Sequence, residues 1–426
     1  MKKTKLCVLA SPFASFHALA VLAMLAALAV PVAAGANVDA SIVADGVGAL
    51  HINSSDPATR PVLVNGVDVL SVIKQQASVI EAQASTCAKQ SREIAVLNQH
   101  VCRLRVPALD PIPGVGDSRE KWGGGVLAPN GLIYALPYSA NSVLIIDPAT
   151  NTWDDITIAG LPSGSRKWFK GVLAPNNNVI YGLPVHHDSV LKIDPATNTA
   201  DWTTITGAGA TQHKFRSGVL GNNGLIYGIP YSASFVLIID PNTDTIDITT
   251  LGGLSTDSTK WWGGVVVPDG RIFGIPYNTD VVLIIDPEAN TLDTTSIAGF
   301  DAFGSKWNGG VLANNGLIYG IPFIHNSVLI IDPDAMTADT TSIAGIVGNH
   351  KWAGGVLAAS GKVVGVPYRS DSALILDPAT NATDTTSLTG ATEDTAKFIG
   401  GVLARNNLIY AIPYHADSVL VIDVGC

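Results

Sequence analysis

Residues 121–147 read KWGGGVLAPNGLIYALPYSANSVLIID, and the chain writes this stretch seven times. Its Lys-aromatic starts fall at Lys121-Trp122, Lys167-Trp168, Lys214-Phe215, Lys260-Trp261, Lys306-Trp307, Lys351-Trp352 and Lys397-Phe398, spaced by 46, 47, 46, 46, 45 and 46 residues. A fixed period of that size is the mark of a repeat architecture. Within a unit, short β-branched and aromatic runs alternate with turn residues: Pro129-Asn130-Gly131 after VLA, and Pro148-Ala149-Thr150-Asn151 after LIID. Asn-Gly supplies the positive φ of a tight hairpin, so each unit reads as four short strands. No 3.6-residue periodicity runs through the units, which excludes a helical solenoid.

Seven small antiparallel sheets around an axis make a β-propeller. The first strand carries a glycine pair in most units (Gly124-Gly125, Gly263-Gly264, Gly309-Gly310, Gly354-Gly355, Gly400-Gly401). That suits the crowded place where blades converge. The composition agrees: of 426 residues 47% are hydrophobic and only 14% charged. The net charge is −10, and the leader adds only lysines, so the mature chain is still more acidic. Nucleic acid is a poor partner for such a surface.

The chain divides into four parts. Residues 1–35 have the basic start Lys2, Lys3 and Lys5, an apolar run and Val32-Ala33-Ala34 before small residues, the pattern of a secretory signal peptide. An uncleaved membrane anchor is the alternative, since the apolar run approaches spanning length. The expected localisation is secreted or extracellular. Residues 36–69 read as irregular, with a glycosylation sequon at Asn53; a second lies at Asn381. Over residues 70–102, Leu70, Ile73, Ala77, Ile80, Ala84 and Cys87 recur at three and four, and the seam continues to Val101. This predicts a helix with a heptad seam, expected to form an oligomerising coiled-coil stalk. Residues 103–426 are the propeller.

The seventh unit stops after its third strand, at Val424-Gly425-Cys426. Counting back from Lys121 by the spacing of a full unit places residues 103–112 as the missing outer strand, so both chain ends share one sheet. In that alignment Cys102 and Cys426 occupy one turn, and a disulfide between them is expected, with Cys87 left unpaired at the seam. The leader's oxidising destination permits such a bond.

Candidate functional residues follow from the hairpin order. The loops entering strand one and joining strands two and three lie on one face of the disc, so both line one mouth. Trp122, Trp168, Trp261, Trp307 and Trp352 are candidate ligand-stacking residues there. Asp188, Asp280, Asp371 and Asp417 recur in the second loop and offer carboxylates to hydroxyl groups. The competing reading pairs Lys with Asp and puts each Trp between sheets. A catalytic centre would appear as departures from the repeat, which are His186, His187, His213, Arg216, His325, His350, Arg369 and His415; of these His186, His187, His415 and Arg369 are the candidates around the mouth. No Cys or His-x-His spacing accompanies them, and no metal or cofactor is expected.

The segment LIYALPYSANSVLIIDPATNTW, residues 132–153, resembles a kelch repeat in Asn141-Ser142-Val143, the Ile146-Asp147-Pro148 turn and the closing Trp153. It also resembles the IDP-x-T turns of bacterial propeller repeats of the lyase and surface-antigen kind. Leu136-Pro137-Tyr138 stands where kelch repeats carry Gly-Gly. The resemblance covers residues 121–423 and implies a propeller. Its activities range from adaptors to copper oxidases, and the oxidase type requires a Tyr/His/Cys constellation that a chain whose only late cysteine is Cys426 does not offer. The reading at this level is a non-enzymatic recognition or scaffolding propeller that binds a carbohydrate or protein. The alternatives are an extracellular lyase or hydrolase and a purely structural surface protein.

Overall fold

The computed structural model describes the backbone of residues 40–44, 50–54, 63–64, 67–104, 106–209, 211–301, 304–391 and 396–425. Side chains are described for 75–93 and, within those ranges, from 106 onward. The leader therefore lies outside the described residues. The chain forms two units, divided between Leu104 and Arg105.

The first unit is not irregular between 36 and 69. Ala40–Ala44 pairs antiparallel with Leu50–Ser54, and Leu63–Val64 with Val67–Asp68. The helix α1 then runs Val69–Leu104, two residues past the expected end. Its side chains from Gln75 to Glu93 are nearly all exposed, Ile80 at 57%. The apolar seam is therefore not covered along this stretch. Cys87 is not the free thiol expected there, because it is disulfide-bonded. The side chains of Cys102 and Cys426 lie outside the described residues, and with them the expected clasp.

The second unit is a seven-bladed propeller of four-stranded antiparallel blades. In blade 1 the strands are Trp122–Leu127, Ile133–Pro137, Leu144–Asp147 and Thr152–Asp154. Turn chemistry sets these boundaries. Gly131 takes φ +88° between the first two strands. The Asp147 carboxylate accepts the Ala149 N–H at 2.8 Å, which holds the Pro-Ala-Thr-Asn turn. The second strand of every blade is buried throughout, save Val179 at the start of that strand in blade 2, because both faces pack against neighbouring sheets. Blade 7 is completed by Ala108–Pro113, which pairs with Ser418–Asp423 from Ala108↔Asp423 to Pro113↔Ser418. This strand starts later than residue 103, since Arg103 and Leu104 belong to α1.

The cores lie between blades. Trp168 packs with Tyr134, Leu136 and Ile145 of blade 1 and Ile180 of its own blade, and the same arrangement repeats around the ring. At the axis the chain needs glycine. Gly354 sits at φ +85° in a bulge, and a Cβ there would meet the Gly400 Cα at 2.9 Å.

Candidate functional site

The mouth is framed by a closed belt of backbone hydrogen bonds. In each blade the lysine that begins strand one donates its N–H to a carbonyl of the preceding blade, and its own carbonyl accepts an N–H from the residue after the strand-two proline. Lys167 N–H to Tyr138 C=O at 2.7 Å and Val185 N–H to Lys167 C=O at 2.8 Å are one such pair. The belt continues through all seven blades at 2.6–3.1 Å.

The seven lysines are buried, and Asp188 and Asp280 reach Lys214 and Lys306 as nearby charges. Their ammonium groups cap loop carbonyls instead: Lys260 donates to Ala233 O at 2.9 Å and Asp257 O at 2.8 Å, and Lys167 to Ala140 O at 2.8 Å and Gly164 O at 2.9 Å. Lys121, Lys167, Lys214, Lys260 and Lys351 thus staple a loop of the previous blade to the loop entering their own. An ammonium has three donors and suits this convergence of carbonyls. Desolvation pushes the amines of Lys167, Lys214, Lys260, Lys306 and Lys351 down to about 8.

Trp122, Trp168, Trp261, Trp307 and Trp352 are not at the mouth surface. All five are at most 2% exposed, and each indole N–H donates to a loop carbonyl, as from Trp168 to Ser189 O at 2.7 Å and from Trp307 to Ser327 O at 2.8 Å. Their burial between sheets leaves no ring face for a ligand. Asp188, Asp280, Asp371 and Asp417 are exposed on the loops. Their backbone carbonyls receive N–H groups of the following loop, and Asp188 also accepts Gly209 N–H at 2.8 Å through its carboxylate. They order loops. His187 is likewise structural: it stacks on Trp168 at 4.6 Å, with Nδ1 2.8 Å from the Ser189 hydroxyl, and His325 repeats this against Trp307 and Ser327.

What the repeat does not fix is the set of residues at three positions inside the belt. Immediately before the lysine stand Glu120, Arg166, His213, Thr259, Ser305 and His350, all in the left-handed region with φ from 52° to 61°. After the aromatic stand Ser139, His186, Ser232, Asn278, Ile324, Arg369 and His415. At the second place of strand one stand Gly123, Phe169, Arg216, Trp262, Asn308, Ala353 and Ile399. A left-handed threonine such as Thr259 is costly, on the order of 1–3 kcal/mol, and strain of this kind gathers at functional sites.

The floor of the mouth is aromatic. Tyr231, Tyr277, Phe323, Tyr368, Tyr414 and Tyr138 form an arc whose neighbouring ring centroids lie 5.2–6.3 Å apart. The arc is interrupted at blade 2, where Val185 takes the aromatic's place. Arg216 enters this sector: its guanidinium lies over Trp262, Tyr231, Phe169 and Tyr138, at 4.6, 4.9, 5.0 and 5.5 Å from the ring centroids. His186 and His213 meet edge to face at 4.4 Å in the same sector. Below them Lys170 replaces the glycine of strand one, and its stem lies across Gly124 toward Gly400.

Glu120 is held by Arg166 through two 3.1 Å hydrogen bonds. Burial raises its carboxyl, but Arg166, the Tyr414 hydroxyl and the Arg216 charge outweigh this and hold it below the usual range. Burial, then the charge of Arg216, pushes His213 down to about 4, and His186 is lowered for the same first reason. Both imidazoles are therefore neutral at pH 7.

Seven buried side-chain polar atoms have no hydrogen-bond partner in the protein among the described residues: Tyr138 Oη, His186 Nε2, His213 Nδ1, Arg216 Nε, Asn308 Nδ2, His350 Nδ1 and His415 Nε2. All seven belong to the mouth. Two of the candidates named from sequence, His186 and His415, are among them. His415 stacks on Tyr414 at 4.8 Å, away from the His186–His213 pair in its ring contacts. Sequence reasoning counted Arg216 and His213 among the departures from the repeat without choosing them for the site, and it missed Lys170. The signal for Lys170 was present, because it stands where the other blades carry glycine or serine. Among the described residues no group of His, Cys, Asp and Glu is arranged to hold a metal ion.

The fold and the mouth define a seven-bladed β-propeller with one asymmetric polar entrance. Solved structures share this fold. A streptogramin B lyase superposes with a TM-score of 0.59 at 10% identity, over 74% of this chain and 97% of that one. Virginiamycin B lyase from Staphylococcus aureus gives 0.59 at 11%, over 74% and 99%. The extracellular domain of a hybrid two-component system from B. thetaiotaomicron gives 0.54 at 13%, over 74% and 42%. No family model and no curated protein matches the chain, so the kelch resemblance stands at the level of fold.

Proposed function

We propose that this chain is a secreted recognition propeller that binds a small polar ligand at the mouth. The observation that carries the reading is the concentration of all seven unpartnered buried polar atoms at one entrance. Leaving such a group unpaired costs about 1–3 kcal/mol, so a native fold tolerates a cluster of them where something else supplies the partners. The structural positions around them are saturated, whereas the variable positions are not. A glycan array with the mature protein is the first test, because hydroxyl-rich ligands match these donors and acceptors. Binding that disappears in His213→Gln with an unchanged melting temperature supports the reading; binding untouched by mouth substitutions refutes it.

The exposed Ile80 and the heptad seam of α1 support a stalk that gathers two or three copies and multiplies weak contacts into avidity. Sedimentation with and without residues 36–101 decides this: two monomeric species refute it. A second reading, an extracellular lyase or hydrolase, is favoured by one observation, the neutral His186–His213 pair beside Arg216. A reaction would then require His186 or His213 as general base, and turnover lost in both single variants would support it.

A further inference from the structure

We infer that the blade 2–blade 3 sector of the mouth is an anion site, which takes a small molecule bearing a carboxylate or phosphate through Arg216 and Lys170. The inference rests on the mouth being a binding site and adds the charge of what it binds.

Three observations converge on it. First, Arg216 makes no ion pair among the described residues; its guanidinium is bounded by four aromatic faces, with the Tyr138 hydroxyl beside it and Glu120 within reach of its charge, and its Nε is buried unpaired. Aromatic faces favour a cation but leave its in-plane N–H groups unsatisfied, and those are the groups that receive the two oxygens of a carboxylate or phosphate. Second, Lys170 has neither an acceptor nor a carboxylate among the described residues, although its stem lies in the crowded axis. Desolvation lowers its amine, which is the cost of holding a cation there without a counter-charge. Third, Glu120, the carboxylate that the Arg216 charge reaches, is already held by Arg166 in a bidentate pair. A protein with a net charge of −10 has thus placed two cations at the axis, neither in an ion pair of its own among the described residues. Both residues are half-buried.

The fold gives up regularity to place them. Blades 4 to 7 use a left-handed glycine at the third place of strand one, Gly263, Gly309, Gly354 and Gly400. Blades 2 and 3 carry Lys170 and Ser217 there, outside the left-handed region. In this same sector Val185 replaces the aromatic, which opens the arc where an anion would enter.

The test is calorimetric titration of the mature protein with galacturonate against galactose, and with succinate and inorganic phosphate, at low and at 0.5 M salt. The uronate–neutral pair isolates charge, and the two other probes separate carboxylate from phosphate. The expected result is binding of at least one anionic probe, no detectable binding of galactose, and at least tenfold weaker binding at high salt. Lys170→Met should weaken that binding at least tenfold, and Lys170→Arg should restore part of it. Arg216→Gln should abolish it, and Lys170→Met carries the test should Arg216→Gln fail to fold. Equal affinity for galacturonate and galactose, lost in His213→Gln, overturns the anion site but leaves a binding mouth. No binding by any probe or on a glycan array, with Lys170→Met and Arg216→Gln changing only the melting temperature, makes the two cations an axial plug and overturns both.

Discussion

Replacing Trp261 by alanine separates a core tryptophan from a ligand-stacking one. Trp261 is 2% exposed, packs with Tyr227, Ile229, Ile272 and Leu283 between blades 3 and 4, and donates its indole N–H to Val281 O at 2.9 Å. Truncation removes a large apolar volume from a site walled by strands, which costs about 3–5 kcal/mol. For a unit of this size that lowers the melting temperature by roughly 5–10 °C. Trp261→Phe should cost only about 1–2 kcal/mol, since Phe215 and Phe398 fill the equivalent place in blades 3 and 7 and the main loss is one hydrogen bond. Guanidinium unfolding followed by circular dichroism measures both. A Trp261→Ala protein with wild-type stability and impaired ligand binding would refute the burial argument.

Lys260→Met removes a buried ammonium that two carbonyls share, and should destabilise by about 2–4 kcal/mol, read from the same unfolding curves. Gly354→Ala should cost at least about 2 kcal/mol, because the left-handed φ and the contact with Gly400 both oppose a Cβ; a neutral outcome in thermal unfolding would contradict the axial crowding. The imidazole of His213 takes a proton near pH 4 in the fold and near 6.5 in the unfolded chain. The unfolded state therefore binds more protons between these values, and stability is fully present above pH 6.5 and falls as pH drops toward 4. The loss has an upper bound of about 3 kcal/mol, and His213→Gln should flatten that part of the stability–pH curve.

The blades were legible because each is written by short-range signals repeated seven times: Asn-Gly and Asp-Pro turns, alternating β-branched residues and a fixed period. Even the closing strand followed from counting residues, since Ala108–Pro113 falls where blade 7 lacks a fourth strand. The roles of the Lys-aromatic pair were harder to read. Sequence shows that Lys260 and Asp280 recur on one face, but whether Lys260 meets a carboxylate or a carbonyl depends on loop geometry three residues away, at Asp257 O. For the staples the recurrence itself pointed the right way: what repeats, such as Trp168 or Lys167, ties blades together, whereas Arg216 departs from that pattern. Residues 36–69 show the limit at its simplest, because two short hairpins there carry too little alternation to stand out from an irregular run.

The claim that the asymmetric mouth is the binding site is tested most directly by a crystal structure of the mature protein with a ligand identified on the glycan array. The expected density lies inside the backbone belt, against Tyr138, His186, His213 and Arg216, with at least two of their unpartnered atoms hydrogen-bonded to the ligand. Density on the opposite face of the disc, or on the outer strands with the mouth unchanged, would contradict it.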